Sequence, residues 1–297
     1  MTTTLGPPQA LHQSSLPLER VLHSANAGFI LHRVGQLAYE FSAEGRRFSV
    51  DLLRYINESQ EGIATSFAFE ETFGVRDRLH WFIHLKTPAD YATLLNMVDH
   101  DLEFRRISDE DRLPQKGGGN WDRMFLHRSL HEDVLVPQHG MVHDDDDDEE
   151  DHHHGDTFVP PASSQLTQPP ELQLNSATAG AIVVRTSDVK YELREEGRMF
   201  LAHWQHYVNE KMAGKVTATL FEQTWGQQDR LWQLIHLKAP EDYYELQALE
   251  RGREMAAEVF DRRRVHESKG GGGWDRLFIP ASIKDTLLLP HAPSSDG

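Results

Sequence analysis

Two histidines, His84 and His236, occupy the same place in two stretches of nearly the same sequence, Ile83-His84-Leu85-Lys86 and Ile235-His236-Leu237-Lys238. Imidazole titrates closer to neutrality than any other side chain, so a histidine held in a pocket can serve as a general acid or base. A carboxylate recurs with each of them. Glu70 and Glu222 are equivalent, whereas the neighbouring Glu71 is replaced by Gln223. A carboxylate beside an imidazole orients it as a base, or joins it in a His/Glu metal set. Strand alternation puts His80, Phe82 and His84 on one face, and Trp232, Leu234 and His236 on the equivalent face of the second copy. His80, Phe82, Trp232 and Leu234 would then line an apolar substrate pocket around the histidines. The competing reading is structural, with each histidine a hydrogen-bonded core residue and each glutamate an ion pair with a nearby arginine or lysine.

Which glutamate meets the histidine depends on hairpin register, because a slip of one residue turns every side chain to the other face. Glu70 is preferred, with Thr65, Phe67 and Phe69 assigned to the opposite, helix-covered face. Positions that differ between the copies also matter, since they can mark a single specialised site. His80 stands opposite Trp232, Phe67 opposite Thr219, and Asp51 and Arg54 opposite His203 and His206. His203 and His206 flank Trp204 at helical spacing and read as helix-edge residues.

These residues sit in a duplication, and internal repeats are the most informative feature of a sequence. Ser24-Ala25 recurs as Ser176-Ala177, an offset of 152 residues that also carries Glu44-Gly45-Arg46 onto Glu196-Gly197-Arg198 and Asp77-Arg78-Leu79 onto Asp229-Arg230-Leu231. One inserted residue later, Trp121-Asp122-Arg123 meets Trp274-Asp275-Arg276. The order of elements can therefore be read twice. Apolar, β-branched runs at 27–34 and 179–186 are first strands. Phe48, Leu52, Tyr55 and Ile56 follow at helical spacing, as do Phe200, Trp204, Tyr207 and Val208. Two hairpin strands, 63–73 and 78–86, precede a second helix opened by Pro88 over about 89–107. A last strand is expected at 121–128, after the glycine-rich loop, with Trp121 and Trp274 as core anchors.

Strand-helix-strand-strand-helix-strand is the split β-α-β order, α+β in class, which puts both helices on one face of a four-stranded sheet and leaves the other bare. Two linked copies can bury their bare faces against each other. The expected organisation is a disordered tail over 1–23, a ferredoxin-like module (βαββαβ) over 24–136, a linker over 137–175, a second module over 176–290 and a tail over 291–297. In this order and duplication the chain resembles the dimeric α/β-barrel superfamily in its fused form, the two modules making an intramolecular barrel. Members include cofactor-independent monooxygenases and cyclases of aromatic polyketides, haem-binding enzymes and muconolactone-type isomerases. The resemblance implies a small-molecule enzyme, with secondary metabolism and antibiotic biosynthesis as its setting. It also implies haem or a divalent metal on the barrel histidines as an alternative to cofactor-free acid/base chemistry. A non-catalytic ligand-binding or partner-binding protein is the reading from another class.

Composition narrows the rest. The chain has 297 residues, no cysteine and a net charge of −17, to which the acidic run Asp144–Asp151 contributes heavily. Thiolate chemistry is excluded, and a nucleic-acid partner is disfavoured because phosphate binding needs a basic stripe. Glycine-rich loops at 116–121 and 269–274 precede a strand instead of opening a helix, so they are not phosphate-binding loops. The acidic run, His152-His153-His154 and the prolines beyond read as a self-repelling tether. Apolar runs fall short of the roughly 20 residues a spanning helix needs. Without a membrane segment or a recognisable secretory signal, a cytoplasmic protein acting on a small molecule is expected.

Overall fold

The computed structural model describes residues 8–139 and 156–291. Module 1 runs β1 (Phe29–Gln36), α1 (Ser42–Ser59), β2 (Ala64–Thr72), β3 (Arg78–Leu85), α2 (Pro88–His100), α3 (Leu102–Asp109) and β4 (His131–Pro137). Module 2 repeats the order as β5 (Ala181–Asp188), α4 (Arg194–Lys211), β6 (Val216–Trp225), β7 (Arg230–Leu237), α5 (Asp242–Glu250) and β8 (Lys284–Pro290). The strands close into one antiparallel barrel in the order β1-β3-β2-β8-β5-β7-β6-β4. Within each module this is the ferredoxin-like sheet, and the β2–β8 and β4–β6 pairings weld the two sheets together.

Several boundaries differ from those read in the sequence. The last strand is not 121–128: Trp121–Arg123 forms a single 3-10 turn and the strand begins at His131. The apolar stretch between them packs without entering the ladder, apart from one bridge between Leu37 and Phe125. The second helix is two helices, because Asp101 leaves the helical region and its carboxylate caps Phe104 N–H to start α3. Thr87 and Asp90 cap the start of α2 reciprocally, with Pro88 in its first turn. Gly62 and Gly214 take φ of +75° and +76° where helix turns into strand, a conformation open to glycine.

The tail and linker are also shorter than expected, because the repeat starts earlier. In β2 the ladder to β8 stops at Phe69, beyond which His291 N–H reaches only the Ala68 carbonyl, so the edge presents bare backbone groups. Side-chain amides fill it. Asn57 bonds both the N–H and C=O of Ser66, and Gln13 does the same to Ala68. Module 2 repeats both clips, with Asn209 on Ala218 and Gln165 on Leu220. Gln13 and Gln165 lie in 3-10 turns, Ala10–Gln13 and Ala162–Gln165, which belong to the modules they serve. The acidic run and His152–His154 lie outside the described residues. Among the described residues no helix is long and apolar enough to cross a membrane.

Two layers of core result. Leu79, Trp81, Ile83 and Leu85 of β3 meet the helices, and Phe67, Phe69, Phe82, Phe221, Trp232 and Leu234 fill the barrel. The clips predict a stability effect. Gln13→Ala and Gln165→Ala should each cost about 1–3 kcal/mol in urea denaturation, since each leaves a buried strand N–H without an acceptor, while the Ala68 and Leu220 carbonyls keep the His291 and Gln138 N–H groups. Gln9→Ala, whose exposed side chain makes no such bond, should change little.

Candidate functional site

The histidines do point into the barrel, and there they are fully used. His84 Nδ1 lies 3.0 Å from the Thr65 carbonyl oxygen, which can only accept, so Nδ1 carries the hydrogen. Nε2 therefore accepts from the Ser176 hydroxyl at 2.9 Å. The second copy matches, with His236 Nδ1 on the Thr217 carbonyl at 3.0 Å and Nε2 on Ser24 Oγ at 2.8 Å. Each serine oxygen also accepts the backbone N–H of the other serine, at 3.0 and 2.9 Å. The result is a closed network across the pseudo-two-fold axis, every polar atom satisfied. Both imidazoles are wholly buried, and burial pushes His84 down to about 3 and His236 to about 4. No ring nitrogen is left for a proton, a metal or a substrate. The acid/base assignment is replaced by a structural one, the stitching of the two modules.

Glu70 and Glu222 do not orient these histidines. Register pairs Thr65 with His84, Phe67 with Phe82 and Phe69 with His80, so those residues line the barrel and Glu70 faces the helices. Glu70 holds Arg46 at 2.8 Å and His291 at 2.5 Å, and Glu222 holds Arg198 at 2.6 Å. Burial alone would raise the Glu70 carboxyl, but bonds from His291 and Arg46 outweigh it and hold it near 2. Of the two neighbouring glutamates Glu71 faces the barrel, 3.6 Å from His80.

His80 and Trp232 do meet inside the barrel, with a residue that sequence reading missed. His32 of β1 shares a hydrogen with His80 at 2.9 Å, stacks on Phe82 at 4.8 Å and meets the Trp232 edge at 5.3 Å. Period-two alternation in β1 was the available signal for His32. His32 Nδ1 has no hydrogen-bond partner and His80 Nε2 has only the Glu71 carboxylate at 3.6 Å, and burial lowers both imidazoles. Phe82 and Leu234 are completely buried in packing. His80, Phe82, Trp232 and Leu234 line neither of the two cavities described below.

A larger cavity lies on the other side of the sheet. Between the module 1 sheet and its helices is a cavity of about 850 Å³, walled by Phe48, Leu52, Ile56, Trp81, Phe104 and Trp121. Its polar groups include Arg33, Ser108, Asp109 and Glu132. Trp121, whose ring stacks on Phe48 with centroids 6.3 Å apart, is thus a wall of a cavity as well as a core residue. In module 2 the equivalent space is occupied. Trp204 replaces Leu52 and Phe260 replaces Ser108. Trp204 is only 2% exposed, and Phe260 packs between Phe200 and Trp274 with centroids 5.8 and 5.4 Å away. A smaller cleft of about 400 Å³ lies elsewhere, between β8, the start of α5 and the β2–β3 turn.

Haem and metal ligation can be tested on the donor set. Among the described residues no group of three or more His, Asp or Glu side chains could hold a metal ion. The module 1 cavity offers no axial ligand for haem iron: its one bordering histidine, His131, pairs with Val34 and shares the barrel-side strand face with His32. On α4, His203 Nδ1 is taken up by Arg264 at 2.7 Å. Neither of these two histidines is placed as a haem ligand in the module 1 cavity.

A family model matches residues 1–296, that of a family of unknown function (DUF6039). No curated protein matches the chain in sequence. Among solved structures, a candidate monooxygenase from Fusobacterium nucleatum subsp. nucleatum ATCC 25586 superposes with a TM-score of 0.51 at 11% identity, covering 92% of this chain and 94% of its own. A candidate monooxygenase from Lactobacillus acidophilus NCFM gives 0.50 at 7% identity, with 90% and 95% covered. An anthrone oxidase-like protein gives 0.50 at 7% identity, with 90% and 93% covered. At such identities the likeness establishes the fold, a dimeric α/β barrel.

Neutral buried histidines have a consequence for pH. His23, lowered by burial to about 4, joins His84 and His236, all ordinarily near 6.5. Because folding lowers each value, the stabilisation is complete above pH 6.5 and is lost as pH falls from 6.5 towards the folded values. Each such histidine removes about 1.4 kcal/mol per pH unit across that window. Urea midpoints should therefore drop steeply from pH 7 to 5, and His236→Gln should flatten the slope by one proton. An unchanged slope in that variant would contradict the buried neutral assignment.

Proposed function

We propose that this chain, which belongs to the DUF6039 family, is a small-molecule enzyme whose single site is the module 1 cavity, and that its substrate is a flat aromatic or apolar molecule. One observation carries this reading: duplicated scaffolds differ at a place where a ligand would fit. Module 1 keeps about 850 Å³ open where module 2 inserts Trp204 and Phe260. A space of that size, with mainly apolar walls and a few polar groups, suits a drug-sized ligand. Two ligand-sized holes would be expected if duplication had been kept for two sites.

Oxidation of an aromatic substrate in a water-poor pocket is the reaction class we favour, in a setting of secondary metabolism such as antibiotic biosynthesis. The fold neighbours described as monooxygenases and as anthrone oxidase-like support it. The reading is testable with an anthrone as probe, by following dioxygen uptake and probe binding together. The native protein should consume dioxygen. Leu52→Trp, which copies the residue of module 2, should lower both binding and uptake at least tenfold while the protein stays folded. Binding without uptake would leave a ligand-binding protein and remove the enzyme. Equal binding by the native protein and Leu52→Trp would remove the site.

A further inference from the structure

The residues that close module 2 describe the ligand that module 1 lacks. Arg185 sits at the floor of the filled space with two carboxylates on it, Asp285 at 2.7 Å and Glu250 at 2.8 Å. Trp204 completes the plug, its indole N–H donating to the same Glu250 carboxylate at 3.1 Å and its ring 5.0 Å from the Arg185 guanidinium. An aromatic ring and a carboxylate thus sit together on one arginine.

Module 1 keeps the arginine and one carboxylate. Arg33 is equivalent to Arg185, and Glu132 of β4 stands where Asp285 does, 2.6 Å from Arg33 Nε. The second carboxylate is gone, because the position of Glu250 is held by Val98, and the ring is gone, because Leu52 replaces Trp204. Among the described residues Arg33 has Glu132 as its one hydrogen-bonded partner, through Nε and Nη2, which leaves the Nη1 edge without a protein acceptor. Arg33, Leu52, Val98 and Glu132 all border the cavity.

We infer that Arg33 is the polar anchor of the module 1 cavity, binding an anionic oxygen of an aromatic ligand, a carboxylate or an enolate, in the place that the Glu250 carboxylate takes in module 2. Charge supports it. Arg185 with its two carboxylates carries a net −1, and Arg33 with Glu132 reaches the same balance once one anion is added. Geometry supports it too, since a guanidinium offers planar paired donors to a carboxylate while the ring of the ligand fills the volume of the Trp204 indole. The inference rests on reading the module 1 cavity as the site, and adds which class of molecule enters it.

Calorimetric titration with 2-naphthoate and with neutral 2-naphthamide, on the full chain, separates the two claims. The native protein should bind 2-naphthoate at least tenfold more tightly than the amide. Arg33→Gln should erase that preference and leave amide binding within about threefold. Val98→Glu, which restores the module 2 carboxylate, should weaken 2-naphthoate at least tenfold; if it fails to fold, Arg33→Gln decides alone. Equal affinity for both probes, or a preference that survives Arg33→Gln, overturns the anchor while leaving the cavity as a site. Binding of neither probe overturns both.

Discussion

Edge-to-edge pairing of two four-stranded sheets governs where everything else in this protein can be. Once β2 meets β8 and β4 meets β6, the bare face of each sheet becomes the inside of a single closed barrel. An eight-stranded barrel has an interior just wide enough for side chains to fill, and here Phe67, Phe69, Phe82, Phe221 and Trp232 fill it. Polar groups caught inside must then find partners there. His84 and His236 do so through Ser176 and Ser24 of the opposite module, so each module completes the other's hydrogen bonding. Removing one member leaves a buried imidazole or hydroxyl without a partner, which is costly in so dry a place.

A filled barrel moves the question of function to the outer faces, where helices cover the sheets. Helix-on-sheet packing leaves room wherever facing residues are small, and a substitution of one residue decides whether that room persists. Leu52 against Trp204, and Ser108 against Phe260, make the difference between an opening and a core. Duplication supplies an internal control for this comparison. Strand order, clips and seam are shared by both halves, and the contrast between cavities comes from side chains such as Leu52 and Trp204 together with the second helix, which runs as an α-helix over Leu102–Asp109 in module 1 and ends in a π-helix over Ala256–Phe260 in module 2.

Electrostatics follows the same division. Groups serving the fold are paired and pushed from their ordinary behaviour, as Glu70 is by His291 and Arg46, or Arg185 by Asp285 and Glu250. Arg33 keeps a free donor edge beside the opening. A cation with an unused edge in an apolar cavity is a receptor for an anion, whereas the same cation with two carboxylates is a brace.

By itself, the sequence determined the duplication, the order of elements and the inward aim of His84 and His236, because a 152-residue offset and period-two alternation are properties of the chain read in order. The α+β class and the fused barrel followed from those. Tertiary structure decided the register, since one residue of slip separates Glu70 from Glu71 and only the pairing of Phe69 with His80 fixes it. It also decided the last strand, where Trp121 gave an apolar signal that a helix–sheet contact and a strand share, and the clips, where isolated glutamines such as Gln13 and Gln165 have no periodicity to reveal them. The candidate site was the least legible. Leu52 and Val98 look like ordinary helix core in sequence, and an empty space has no residues of its own. It exists only as the volume that Trp204, Phe260 and Glu250 occupy in the other half.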